Sequence, residues 1–511
     1  MKKHTKLISL LLALIFCVLP LCSCDTGGDT DGDGGGLGED GSVNWDEVDF
    51  KGAPIKYAIS VYKESGGTFA ISEKYLRGAD SSSTDEVVKK VIARNAKVEN
   101  DLGLKVVYDE VDTKDVLGDI KSKVLGSASD APDLYNNDMY SLNYALVEGY
   151  LMNVVNPKDK NGEPLSSYFD FESDAWKYDF MNELTLDKSK VYVLAGDYHI
   201  DMVRMAYVLF VNKTMFNQNA SALGTDSVDT FYDYVLGGVW DYDMLTDMCD
   251  AVWQDDGSEK KKTDQNDSRV GLLINHTVYY VFIPATGIST YFMGDDGKPK
   301  MISDIDEMNR MGQKVRDLWE AGSPPKDGIY FENSLDCIDV FMQGKALFAP
   351  AMLGELESDE FRSASFDKGL VPLPKYDSSR QSDYYTMMHS GAELSAILVN
   401  APSFSKASAY LQYANEQSRD VLTEYYEFSL KFKYNDDPKI RSMIDLVYET
   451  IDSPFGMYFE SVIFQYLEVE NNTFNLHYAI SKNMLSSFYE SWKTPYQRAL
   501  DRACADFAKV P

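Results

Sequence analysis

Pro54-Ile-Lys-Tyr-Ala-Ile-Ser-Val-Tyr62 reads as a β-strand, and the segments on either side of it decide the fold class. Residues 84–102 have helical spacing, with Val87, Val88, Val91, Ile92, Val98 and Leu102 apolar, and Gly103 closes the helix. Residues 104–111 read as a second strand. Residues 113–125 read as a second helix, opened by Thr113 and Asp115. A third strand begins at 133–135, and a third helix covers 141–148 and ends at Gly149. The order βαβαβα predicts a parallel sheet covered by helices.

Farther along, Ala206-Tyr-Val-Leu-Phe-Val-Asn212 is a strongly apolar strand, suited to burial on both faces. Residues 240–253, 306–321 and 405–418 read as helices, and 271–275, 345–352 and 396–399 as strands. Pro372 and Pro374 interrupt regular structure, and the rest of the chain to residue 511 is mostly helical. No repeat of 20–50 residues is present. A length of 511 residues exceeds one core, so two domains or lobes are expected. The net charge of −32 argues against nucleic acid and against docking on anionic lipid through basic patches. Cys249, Cys337 and Cys504 lie far apart with no CxxC pair, so no zinc site is expected. Their disulfide state is left open.

The N-terminus reads as an export leader. Lys2, Lys3 and Lys6 precede an apolar run over 7–21 that is short for a membrane span. Leu21-Cys22-Ser23-Cys24 then resembles a bacterial lipobox, which implies lipidation at Cys24; ordinary secretion with cleavage nearby is the alternative. Residues 25–43 are acidic and Gly-rich, unable to bury apolar surface, and read as an unstructured tether. Asp29, Asp31, Asp33, Gly34 and Asp40 partly match a calcium loop, but position twelve is Asp and no amphipathic helix precedes it.

Several segments resemble the extracellular solute-binding proteins of the family that includes the maltose-binding protein. Gly126-Ser-Ala-Ser-Asp-Ala-Pro-Asp-Leu-Tyr135 is similar to that family's small-residue, Pro-Asp segment, and Gly149-Tyr-Leu151 follows as it does there. Lys190-Val-Tyr-Val-Leu194, Leu209-Phe-Val-Asn-Lys-Thr-Met-Phe216, Gly344-Lys-Ala-Leu-Phe-Ala-Pro-Ala-Met-Leu-Gly354 and Lys368-Gly-Leu-Val-Pro-Leu-Pro-Lys375 resemble further family segments and arrive in family order. Glu355 stands where an aromatic often occurs, so the solute's identity is left open. The resemblance implies a two-lobed α/β periplasmic-binding-protein-like fold with hinge strands and a helical C-terminal region. Residues 1–23 would be the leader and 24–45 the tether. Lobe 1 would hold 46–205 and 385–435, and lobe 2 would hold 206–384 and 436–511. The crossings would lie near 206–211 and 371–388. The implied function is reversible capture of a small solute, with carbohydrate favoured, and delivery to ABC permease subunits. The protein would sit on the extracellular face of the bacterial membrane, held by its lipid.

In open α/β sheets ligands meet the loops at the carboxyl ends of strands. That rule selects Tyr62, Asp138, Met139, Tyr140, Tyr198 and His199 in lobe 1. It selects Tyr291, Leu353, Gly354 and Glu355 in lobe 2, and His389 and Ser390 after the second crossing. Aromatic faces and carboxylates in this set suit a sugar. No HExxH, Gly-x-Ser-x-Gly or phosphate-loop pattern is present, so no catalytic residue, cofactor or metal is assigned. A surface glycan hydrolase and a glycan-adhesion lipoprotein stand as alternatives.

Overall fold

The computed structural model describes residues 34–38, 41–61, 71–78, 82–112, 115–126, 131–254, 269–273, 281–320, 334–433, 437–452, 459–460, 462–463, 465–467, 479–480 and 482–510. Tyr62, Cys24, the leader and the aspartates at 29, 31, 33 and 40 lie outside the described residues. Strands β1 (Ala53–Val61), β2 (Leu104–Asp112) and β3 (Leu134–Asp138) form the parallel unit read from the sequence. Helices α1 (Glu86–Asp101), α2 (Val116–Leu125) and α3 (Met139–Val147) connect and follow them. Helix α1 starts where the Asp85 carboxylate accepts the Val87 N–H, and it buries Val87, Val88, Val91 and Val98.

The sheet is not wholly parallel, however. Strand β12 (Glu393–Ala396) runs antiparallel to β3 and to β4 (Val193–Leu194), giving the order β2-β1-β3-β12-β4. It also begins three residues before the expected 396–399. The apolar signal there is strongest at Ile397 and Leu398, whereas the ladder runs through Glu393–Ala396, in which Glu393 and Ser395 are buried polar residues that sequence patterning discounts.

A second sheet has the order β10-β5-β9-β6, from β5 (Tyr207–Asn212), β6 (Val270–Leu272), β9 (Ala346–Met352) and β10 (Lys368–Val371). All six residues of β5 are buried between β10 and β9, as its unbroken apolar pattern requires. The two sheets are the cores of two lobes. The hairpin β7 (Tyr291–Met293) and β8 (Pro299–Met301) and the helix α4 (Ile305–Glu320) belong to the second. Helix α5 (Phe404–Glu416) returns to lobe 1 against α1, and α6 (Pro438–Glu449) packs on β10. The chain therefore crosses between lobes a third time between α5 and α6.

Two further features depart from expectation. The Gly-rich stretch is packed at its end: Leu37 bridges Val43, and the Tyr168 hydroxyl donates to the Gly35 carbonyl at 2.9 Å. Helix α7 (Leu485–Phe507), expected with lobe 2, straddles both lobes. Its Tyr489 hydroxyl donates to Ile302 and its Ser486 accepts from Asn309 in lobe 2, each at 2.8 Å. Its far end meets lobe 1, where the Phe507 ring lies edge-on to Tyr192 and Lys190 donates to the Val510 carbonyl.

Candidate ligand-binding cleft

The lobes meet at a ribbon of short extended segments. Ala206 pairs antiparallel with Met388, and the His389 N–H donates to Met205 at 2.9 Å. On the outer side of Ala206, its carbonyl accepts the Leu353 N–H at 2.8 Å. On the other side, β11 (Thr386–Met387) runs parallel to β13 (Ile451–Asp452). The first crossing is thus at Met205–Ala206, and β5 lies wholly within the second sheet. The end of β3 docks onto the same ribbon: the Met139 N–H donates to Ala392 at 2.8 Å and the Tyr140 N–H to Ser390 at 3.0 Å. Asp138, Met139 and Tyr140 therefore stand beside His389 and Ser390. Leu353, Gly354 and Glu355 form the first residues of a short 3-10 turn leading out of β9 next to Ala206.

Asp138 is the N-cap of α3 and accepts the Ser141 N–H at 2.8 Å; burial lifts its carboxyl above the usual range. Tyr140 is 49% exposed, and its hydroxyl lies 3.0 Å from that of Tyr144 with the rings edge to face. Tyr144 was not selected from sequence, although its i+4 spacing on α3 places it beside Tyr140. The pair offers two aromatic faces and two hydroxyls, the chemistry that a sugar ring uses. His389 accepts the Gly391 N–H at Nδ1, 2.9 Å away, and its ring lies 5.8 Å from Tyr207.

Beneath these residues runs a buried polar network. Glu393, at the head of β12, accepts from the hydroxyls of Ser60 and Ser72 and lies 3.1 Å from His199 Nε2. Its backbone N–H donates to Asp201 at 2.8 Å. Arg204 donates to Asp201 at 2.8 Å and across the lobes to Glu357 at 2.7 Å. Glu357 also accepts from Tyr75 and Tyr425, at 3.0 and 2.7 Å. Burial works to raise the Glu357 carboxyl, but Arg204 outweighs it and holds the group below the usual range. Burial likewise lifts Asp201, and there Arg204 does not reverse it. None of Glu393, Arg204, Asp201 and Glu357 was selected from sequence. The one available signal was the pair Asp201 and Arg204 set three residues apart just before an apolar strand.

No protein-family model matches the chain, and no curated protein matches its sequence. Solved structures do match. A family 1 extracellular solute-binding protein from Bifidobacterium longum subsp. infantis superposes with a TM-score of 0.52 at 15% identity, over 89% of this chain and 99% of that one. The galacto-N-biose-/lacto-N-biose I-binding protein of the ABC transporter from Bifidobacterium longum, in complex with lacto-N-biose, gives 0.52 at 12% identity, over 89% and 98%. A cyclo/maltodextrin-binding protein complexed with maltotetraose gives 0.51 at 14%, over 90% and 98%. The fold is that of the extracellular solute-binding proteins.

Within this solute-binding fold, three predicted residues do not face the junction of Tyr140, Leu353 and His389. Tyr198 is in the lobe 1 core, 1% exposed, because its hydroxyl is needed there: it donates to Leu194 at 2.7 Å and accepts the Ser395 N–H at 3.2 Å. Tyr291 is also buried. It begins the β7 strand under α7, where its hydroxyl donates to the Tyr496 carbonyl. His199 is committed at Nε2 to Glu393 and lines a cavity of about 310 Å³ on the β13 side of the ribbon, which none of the other predicted residues lines. Among the described residues, no three His, Cys, Asp or Glu side chains are grouped to hold a metal ion.

Proposed function

We propose that this chain is a substrate-binding lipoprotein that captures a small solute between its lobes and delivers it to an ABC importer. The solute is a sugar or oligosaccharide, and lipid on Cys24 holds the protein at the outer face of the cell membrane. One observation carries the reading. Two α/β lobes are joined through paired crossing segments, so that the ends of β3 and β9 meet at one hinge. Such a joint permits hinged closure around a guest. The exposed Tyr140–Tyr144 pair beside His389 and Ser390 supports a carbohydrate guest. Proteins of the same fold solved with maltotetraose and with lacto-N-biose support it as well. Asp138, Tyr140, His389 and Ser390 are the proposed contacts, and the buried Met139, Leu353, Gly354 and Glu355 form the turns that adjoin them.

A thermal-shift screen of the purified protein against mono- and oligosaccharides tests this. A guest at 100 times its Kd adds about 2.7 kcal/mol to the folded state, a readily measured rise in Tm. At least one saccharide should shift the transition and be recovered intact after long incubation. Reproducible cleavage that a single carboxylate variant abolishes would instead establish the hydrolase.

A further inference from the structure

Beyond the ribbon, on the side away from Leu353, lies a second space between the lobes. Thr386 and His389 are three residues apart in one extended segment, so their N–H groups leave opposite edges. His389 donates to Met205, toward the side where Ala206 meets Leu353, and Thr386 donates to Thr450, toward β13. Past β13 is the cavity of about 310 Å³, with Trp176 and Tyr448 among its walls. It adjoins another of about 470 Å³ that reaches Lys188 in lobe 1 and Ser289 and Phe292 in lobe 2. The two share Asp179, Phe180 and Ile451, so they form one groove whose walls come from both lobes and from the ribbon.

The lining has the chemistry of a binding site rather than of a packing gap. Each volume falls within the range of small-molecule sites. Aromatic side chains stand along its whole length. Its lysines are already paired, Lys177 with Asp197 at 3.2 Å and Lys188 with Glu183 at 2.5 Å, so no uncompensated cation is available to hold an anion. Donors and acceptors are mixed, and Asn182 keeps its Oδ1 buried without a hydrogen-bond partner among the described residues.

We propose that this groove is a second binding site, for an uncharged saccharide, and that its occupant opposes closure of the cleft. Aromatic faces cover the apolar faces of sugar rings, and the polar side chains of the walls meet hydroxyls that both donate and accept. The effect on closure rests on the reading of the cleft as the capture site. The ribbon lies between the two spaces, so rotation about it that narrows one widens the other. An occupant fitted to one spacing of the groove walls then shifts the lobe equilibrium, and the coupling is reciprocal.

Calorimetric titration of the mature chain with maltotriose, cellotriose and lactose tests the site, with digalacturonate as the anionic comparison. Phe292, 42% exposed, and Tyr448 each form one part of the groove. F292A and Y448A should each weaken one saccharide-binding event at least tenfold while Y140A leaves that event unchanged. Saturating the groove in Y140A protein should leave the radius of gyration undiminished. The proposal is overturned if every saccharide event survives both groove variants, if digalacturonate binds more tightly than the neutral sugars, or if no neutral sugar binds. Events lost in Y140A and untouched by F292A and Y448A would reject the groove and leave the cleft standing. Events lost only in the groove variants would support the groove and count against the cleft.

Discussion

Arg204 and Glu357 form a direct charged contact between the lobes, and their chemistry is testable by pH. Glu357 is nearly enclosed and accepts from Arg204, Tyr75 and Tyr425. Its folded pKa lies below the ordinary 4.5, so its ionised form stabilises the fold above that value, and the contribution is lost as pH falls through the folded pKa. Glu357→Gln should cost about 2 kcal/mol at pH 7, the range for hydrogen bonds to charged groups. The gap between variant and wild type should narrow as pH falls below 4.5. Urea unfolding at pH 7 and pH 4 checks both statements; an equal gap at the two values would remove the ionised carboxylate from the account. Tyr140→Ala should behave differently. Tyr140 is half exposed, so stability should change by no more than about 0.5 kcal/mol, while saccharide affinity at the cleft should fall about tenfold or more. At this scale the sequence was only partly legible. Strand-end position picked out Asp138–Tyr140 and His389–Ser390, which the structure places side by side at the ribbon, because that rule needs only the strand order. It also picked out Tyr198, which the structure buries, since a Tyr after a strand looks the same whether its hydroxyl faces solvent or closes a core hydrogen bond. It also missed Glu393 and Arg204, because nothing local marks a buried charge whose partners lie far along the chain.

Elements whose burial pattern matches their period were legible almost to the residue. Helix α1 and strands β5 and β9 are examples, each carrying an apolar pattern that only one structure satisfies. Long-range strand direction was not, and the antiparallel β12 shows why: direction is set by the path between lobes, which leaves no periodic trace. Close approaches between elements are a further case. Gly271 in β6 packs against the helix Tyr242–Val252 so tightly that a Cβ there would overlap the backbone of Cys249. Gly271→Ala should therefore destabilise the protein by about 1–3 kcal/mol through overpacking. A lower urea midpoint measures it, and an unchanged midpoint would mean that the second sheet yields more easily than its packing suggests. The straddling of α7 across both lobes was equally hidden, since each half of the helix carries an ordinary apolar face. Pro495 sits in the middle of that helix, where its missing N–H leaves one turn without its hydrogen bond.

For the whole molecule, the proposed lipid anchor at Cys24 makes a prediction of its own. If Cys24 carries lipid, Cys24→Ala should move the protein from the membrane fraction to the medium, and the wild type should incorporate a labelled fatty acid. A variant that stays membrane-bound, with an unlabelled wild type, would contradict the anchor. The central claim concerns motion: a solute bound between the lobes should bridge them, and the closed arrangement should gain contacts that the open one lacks. Small-angle scattering decides it most directly, on protein alone and at saturation with the saccharide that raises Tm most. The account predicts a smaller radius of gyration with the saccharide bound. An unchanged radius at saturation would contradict it.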